Sequence, residues 1–203
     1  MAAALLKDHH ERYARVESLR LGGVPVEAEW LPYGVGGEAT AGAAAELPEI
    51  VATYGLLELE DAAFRRGAAV LDRAHRGTIA VEGADRIDFL NRMVTQDLKG
   101  MQPGEARAAW WLNRKGRIEA DLLLCEVPAA DGGAPLMLVD CDVHDVARTV
   151  ETLSAFLFAE DVRLRDARAD WARLAVHGPA AAEVLAHAGA DPAALEPLAQ
   201  DGV

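Results

Sequence analysis

The sequence predicts an α+β fold, a mainly antiparallel sheet with packed helices. Two observations carry that expectation. Residues 106–112 and 117–127 alternate with period two on either side of a tight turn, and single helical stretches fall between short strands. The order of strands and helices is too irregular for a doubly wound parallel sheet. A composition of 51% hydrophobic and 26% charged residues over 203 residues suits a core-forming chain of one domain or slightly more. Aromatic residues make up only 5%, so the core must come mostly from Leu, Val, Ile and Ala.

Residues 1–20 fit a helix with Leu5, Leu6, Tyr13, Val16 and Leu19 near one side. Gly22, Gly23, Pro25, Pro32, Gly34, Gly36, Gly37 and Gly42 then punctuate a loop-rich stretch. A second helix is expected over 56–66 and a short strand over 78–82. Gly83, Asp85 and Asp88 open a helix whose Ile87, Leu90, Met93 and Val94 recur at helical spacing. Strands 106–112 and 117–127 flank the turn Asn113-Arg-Lys-Gly116, with glycine where positive φ is needed. Residues 135–141 read as a further apolar strand. Asp142 is the expected N-cap of a helix to 158 carrying Val143, Val146, Val150, Leu153 and Leu157. Short strands are expected at 162–164 and 171–176, and Pro179 opens a last helix to about 188. These elements divide the chain into a helical, loop-rich extension over 1–55 and a domain over 56–203.

No apolar run reaches the ~20 residues a membrane-spanning helix needs. The first residues lack the basic region and long apolar stretch of a secretory signal. Cys125 and Cys141 are too few for a disulfide scaffold or a four-cysteine zinc site, and the expected compartment is the cytoplasm. Twenty basic against 33 acidic residues, a net charge of −13, argue against general nucleic-acid binding. The charge is uneven: 38–61 holds six acids and no base, whereas 77–117 holds seven bases and five acids. The latter segment reads either as a seat for a small anionic ligand or as a solvated mixed-charge face.

Several motifs are set aside. Gly34-Val-Gly-Gly-Glu-Ala39 resembles a dinucleotide loop, but Pro32 precedes it and Glu38 has the wrong sign for phosphate. His9 and His10 diverge by ~100° on a helix, so they cannot chelate like an i, i+4 pair, and a solvated helix is expected; no metal site is expected elsewhere. Asp140 and Asp142 flank Cys141 and would raise its pKa, which makes it a packing residue. Trp110 and Trp111 point to opposite strand faces, so at most one can line a ligand site.

On strand 117–127, Ile118, Ala120, Leu122 and Leu124 share the expected core face, and Arg117, Glu119, Asp121, Leu123 and Cys125 share the other. The second face is either a solvated strand surface or a ligand- or domain-covered one. A carboxylate covered in that way needs a raised pKa or a donor partner such as a ligand N–H.

Four ordered stretches carry a resemblance. They are Arg76-Gly-Thr-Ile-Ala-Val-Glu-Gly-Ala-Asp-Arg-Ile-Asp-Phe-Leu-Asn-Arg-Met-Val-Thr-Gln-Asp-Leu98, then Pro103-Gly-Glu-Ala106 with Leu112-Asn-Arg-Lys-Gly-Arg-Ile-Glu-Ala-Asp-Leu122, and Leu174-Ala-Val-His-Gly-Pro179. Over about 56–190 the chain resembles the tetrahydrofolate-binding superfamily of glycine-cleavage T-proteins (aminomethyltransferases) and YgfZ-type proteins that assist iron–sulfur cluster proteins. The turn Asn113-Arg-Lys-Gly-Arg117 is closer to the YgfZ-type Pro-Lys-Gly-Arg signature, with Arg114 in place of proline. Asp121 falls where a T-protein has the carboxylate near the folate nitrogens.

The resemblance implies tetrahydrofolate or another reduced folate as ligand, with Asp121 anchoring or polarising the pterin. It further implies Leu123 and Cys125 as pocket lining, Trp111 and Asn113 contributing from the partner strand, and Arg117 holding an anionic tail. The implied role is support of iron–sulfur cluster assembly or repair, with iron–sulfur client proteins as partners. Aminomethyltransferase-type one-carbon transfer, which needs a lipoyl-protein partner, is the alternative. A degenerate interaction scaffold without folate, suggested by the acidic stretch 38–61, is a third reading. The Lys-Gly-Cys-x-x-Gly-Gln-Glu signature of YgfZ-type proteins is absent from these 203 residues, so either a domain incomplete at its C-terminus or a naturally short protein is expected, inactive in isolation.

Overall fold

The alternating segments form a five-stranded sheet in a computed structural model that describes residues 6–34, 48–128 and 135–191. The elements run α1 (Lys7–Arg20), β1 (Glu29–Pro32), β2 (Glu49–Thr53), α2 (Leu57–Arg66), β3 (Ala69–Asp72), β4 (Arg76–Glu82), α3 (Arg86–Met93), β5 (Ala106–Leu112), β6 (Ile118–Val127), β7 (Leu136–Asp142), α4 (Val146–Ser154), β8 (Arg163–Asp166), β9 (Leu174–His177) and α5 (Ala181–His187). The fold is α+β with antiparallel sheets, as the sequence predicts. Contacts group His75–Trp171 into one unit and the chain on either side, to Ala74 and from Ala172, into a second.

In the first unit the strand order is β5-β6-β7-β4-β8, every neighbouring pair antiparallel. One sheet face buries Ile79, Val81, Leu122, Leu124, Met137, Val139 and Cys141 against Phe89 and Leu90 of α3 and Val146 and Leu153 of α4. The period-two pattern puts these apolar residues on one side, and the helices cover it. Gly83 turns β4 into α3 at φ 110°, where a Cβ would lie 1.9 Å from the Asp161 carbonyl oxygen. Only glycine fits that approach. The Arg86 guanidinium lies between the Gly83 carbonyl (3.0 Å) and Glu126 of β6, with both side chains of the ion pair buried.

Two local expectations change here. The Asp142 carboxylate accepts the His144 N–H at 2.9 Å, so it closes a turn rather than capping a helix. Helix α4 begins after Asp145 and ends at Ser154, short of residue 158. Cys141 is fully buried, and desolvation pushes its thiol up to about 12.

In the second unit β3 pairs with β9, Ala69 opposite His177 through Asp72 opposite Leu174. That ladder joins chain segments on both sides of the first unit. Strands β1 and β2, within and just after the stretch read as loop, also pair antiparallel. His10 is not a solvated helix residue. Its Nδ1 is 2.5 Å from the Tyr54 hydroxyl and its Nε2 3.0 Å from the Asp72 carboxylate, with the Trp30 ring edge-on at 5.5 Å. On α1 the buried residue is Ala14, while Val16 and Leu19 of the expected apolar side are exposed.

Most of the Gly34–Ala39 pattern lies outside the described residues. Among the described residues no helix is long and apolar enough to cross a membrane, and no group of three metal-ligating side chains comes together.

Candidate functional site

The site is built on the β5–β6 hairpin. The Asn113 carbonyl accepts the Gly116 N–H at 2.9 Å, and its side-chain Oδ1 accepts those of Lys115 (2.9 Å) and Arg117 (3.1 Å). Gly116 has φ 73°, the left-handed conformation that closes a three-residue hairpin loop. The Asn113 Nδ2 donates to Glu119 at 2.6 Å, and the other Glu119 oxygen pairs with Arg148 of α4. Asn113 is therefore the organiser of the turn. Arg117 is exposed beside it.

Beyond the turn the pairing jumps from Leu112 opposite Ile118 to Trp111 opposite Ala120. This bulge inserts Glu119 as an extra residue, and the faces reorganise around it. Ile118, expected on the core side, is 59% exposed, whereas Ala120, Leu122 and Leu124 are buried. Trp111, the expected ligand-side tryptophan, packs into the core at 7% exposure, edge-on to Phe156. Trp110 sits directly opposite Asp121 and is 53% exposed. Residues paired across an antiparallel ladder share a face, so Trp110 is the tryptophan beside Asp121.

The Asp121 side chain is 64% exposed, so it is not a desolvated carboxylate. Its partner is internal: Arg76 Nη1 donates to Asp121 Oδ1 at 2.9 Å. The same guanidinium donates from Nε to Asp140 Oδ1 at 2.7 Å, with Nη2 2.6 Å from that oxygen. Asp140 is buried, and Arg76 is mostly so. Burial alone would lower the Arg76 pKa, but the bonds to Asp121 and Asp140 outweigh it and hold the group above the usual arginine range. Nothing in the sequence assigns Arg76 to the site. Its contact with Asp121 spans 45 positions, and no local spacing signals it.

Leu123 and Cys125 follow Asp121 along the same face and are half-buried, with Leu123 opposite Asp140 and Cys125 opposite Leu138. Cys125 and Cys141 are not joined in a disulfide. The arrangement is an exposed carboxylate fixed by a guanidinium, an indole next to it and an apolar floor running away from it. Such a surface can accept N–H bonds from a flat heterocycle, and the indole can stack on it. The residues fit the pyrimidine half of a reduced pterin in those two respects, since that half is planar and carries N–H donors along one edge.

The fold is thus an antiparallel sheet with helices packed on one face, and Asp121 is the fourth residue of its bulged hairpin strand β6. A family model described as the GCVT N-terminal domain matches residues 48–197, and the chain belongs to that family. The aminomethyltransferase of Deinococcus deserti is 30% identical over 132 residues, covering 65% of this chain and 36% of that protein. The "Iron-sulfur cluster assembly factor IBA57 homolog, mitochondrial" of Mycosarcoma maydis is 30% identical over 104 residues, 48% of this chain and 26% of that protein. A crystal structure of glycine cleavage system aminomethyltransferase T from Bartonella henselae superposes with a TM-score of 0.59 at 25% identity, covering 87% of this chain and 43% of that one. The chain thus spans about a quarter to two-fifths of the length of these relatives.

Proposed function

We propose that this chain is the tetrahydrofolate-binding part of a YgfZ-like protein that supports iron–sulfur cluster assembly or repair. The observation that carries the reading is the placement of Asp121, exposed on the sheet face and held by Arg76 beside Trp110. Asp121 accepts N–H bonds from the pterin, Trp110 lies against the ring, and Leu123 and Cys125 form the apolar floor. Arg117 attracts the anionic tail, and Asn113 keeps Arg117 in place through the turn. Tetrahydrofolate, when bound, supplies the nitrogens that carry one-carbon units. A carboxylate anchored by a permanent cation serves as a fixed hydrogen-bond acceptor, which suits binding without turnover. The iron–sulfur role is supported by the turn Asn113-Arg-Lys-Gly-Arg117 and by the cluster-assembly factor among the relatives.

Aminomethyl transfer to tetrahydrofolate is the second reading, favoured by the aminomethyltransferases among the relatives. Calorimetric titration of the native chain with tetrahydrofolate, set against Asp121→Ala, tests the shared part. Binding that Asp121→Ala weakens by roughly tenfold or more is expected, the effect of one charge-assisted hydrogen bond. No binding by the native chain rejects both folate readings and leaves the interaction scaffold. Release of ammonia from an aminomethylated lipoyl protein, assayed with the full gene product, would decide for the transferase.

A further inference from the structure

We propose that Arg76 is the positioning residue of this site: it fixes the Asp121 carboxylate so that one oxygen is turned to the guanidinium and the other to the ligand. The inference deepens the folate reading and rests on it for the identity of the ligand.

The geometry is a fork across three strands. Arg76 lies on β4, Asp140 on β7 and Asp121 on β6, in the sheet order β6-β7-β4. The guanidinium is anchored at its inner end, with Nε and Nη2 on one oxygen of the buried Asp140. Nη1 extends outward to Asp121 Oδ1. A planar guanidinium fixed at one side has no freedom left at the other, so the direction of its remaining N–H sets the plane of the outer carboxylate. Among the described residues, that is the only side-chain hydrogen bond Asp121 makes, and it uses Oδ1 alone. The other oxygen makes no hydrogen bond among the described residues, on a side chain that is 64% exposed. A ligand N–H therefore meets an acceptor already oriented, with less side-chain freedom to lose on binding.

Lysine cannot replace this. Its ammonium is a point charge and cannot hold two carboxylates on separate strands in one plane. The test is a double-mutant cycle read as tetrahydrofolate affinity by calorimetry, with Arg76→Lys, Asp121→Ala and the pair, each first shown by urea unfolding to be folded. Arg76→Lys is expected to weaken binding roughly tenfold on the native background and less than about twofold once Asp121 is alanine, the non-additivity of residues acting through one another. An equal loss on both backgrounds would mean that Arg76 serves the fold alone and would overturn the proposal.

A second arm needs neither ligand nor an Arg76 variant. In ¹⁵N spectra of the chain, the Arg76 Nη–H signals should be resolved and slow to exchange, and Asp121→Asn should broaden or shift them. Signals indifferent to Asp121→Asn would show that the two side chains are not coupled and would equally overturn the assignment. If tetrahydrofolate fails to bind the native chain, the folate reading falls and this arm alone decides the positioning role.

Discussion

Two adjacent tryptophans on β5 should respond to truncation in opposite ways. Trp111 is 7% exposed and meets Phe156 edge-on with ring centroids 5.8 Å apart, whereas Trp110 is 53% exposed opposite Asp121. A fully buried indole removes 150–250 Å² from water, or about 4–6 kcal/mol at ~25 cal/mol per Å². Allowing for a partly collapsed unfolded chain brings Trp111→Ala to about 3–5 kcal/mol, in the range of aromatic truncations in cores. Trp110 has roughly half that burial and leaves no cavity, so Trp110→Ala should cost about 1–2 kcal/mol. With a urea m-value of roughly 2 kcal/mol/M, the unfolding midpoint should fall by about 2 M for Trp111→Ala and by less than about 1 M for Trp110→Ala. Tetrahydrofolate affinity should move the other way, lost in the Trp110 variant and kept by whatever Trp111→Ala remains folded. Equal midpoint losses would refute the bulge-derived assignment of faces.

Other consequences follow from single contacts. Glu126→Ala leaves the buried Arg86 guanidinium without its carboxylate and should cost about 3–5 kcal/mol in urea unfolding, while Arg86→Met with Glu126→Leu should recover most of it. Gly83→Ala places a Cβ against the Asp161 carbonyl at positive φ and should lower stability by more than about 2 kcal/mol, read as a fall in thermal midpoint. Burial raises the Cys141 thiol from 9.0 and the Tyr54 hydroxyl from 10.0, each to about 12. Groups raised on folding stabilise fully below their unfolded pKa and lose that contribution as pH climbs through the folded one, so unfolding free energy should decline between pH 9 and 12. A flat profile there would show that neither group is shielded.

Much of the first unit was legible because its strands carry long apolar alternation. Residues 106–112 read correctly as β5, and β6, β7 and α3 fell within one or two residues of their places. Strands β1 and β3 hold only four residues each, and β2 only five, too few to show a period. Their pairing depends on partners far away, as when β3 meets β9. The choice between the two tryptophans turned on one extra residue. Continued without the bulge, the Leu112–Ile118 register sets Trp111 opposite Glu119, on the Asp121 side; the bulge moves pairing by one and exchanges the two indoles. That Asp121, Leu123 and Cys125 share one strand face, with Asn113 in the adjoining turn, was readable because all four lie along one hairpin. Arg76 comes from another strand, and only the sheet order brings it to Asp121.

Amide chemical-shift mapping of tetrahydrofolate onto the ¹⁵N-labelled chain tests directly whether the Asp121 face binds folate. Saturable shifts concentrated at Trp110, Asp121, Leu123 and Cys125 are expected, with the Arg76 guanidinium signals moving alongside. Shifts absent from that face, or clustered on β3 and β9 instead, would contradict folate binding there.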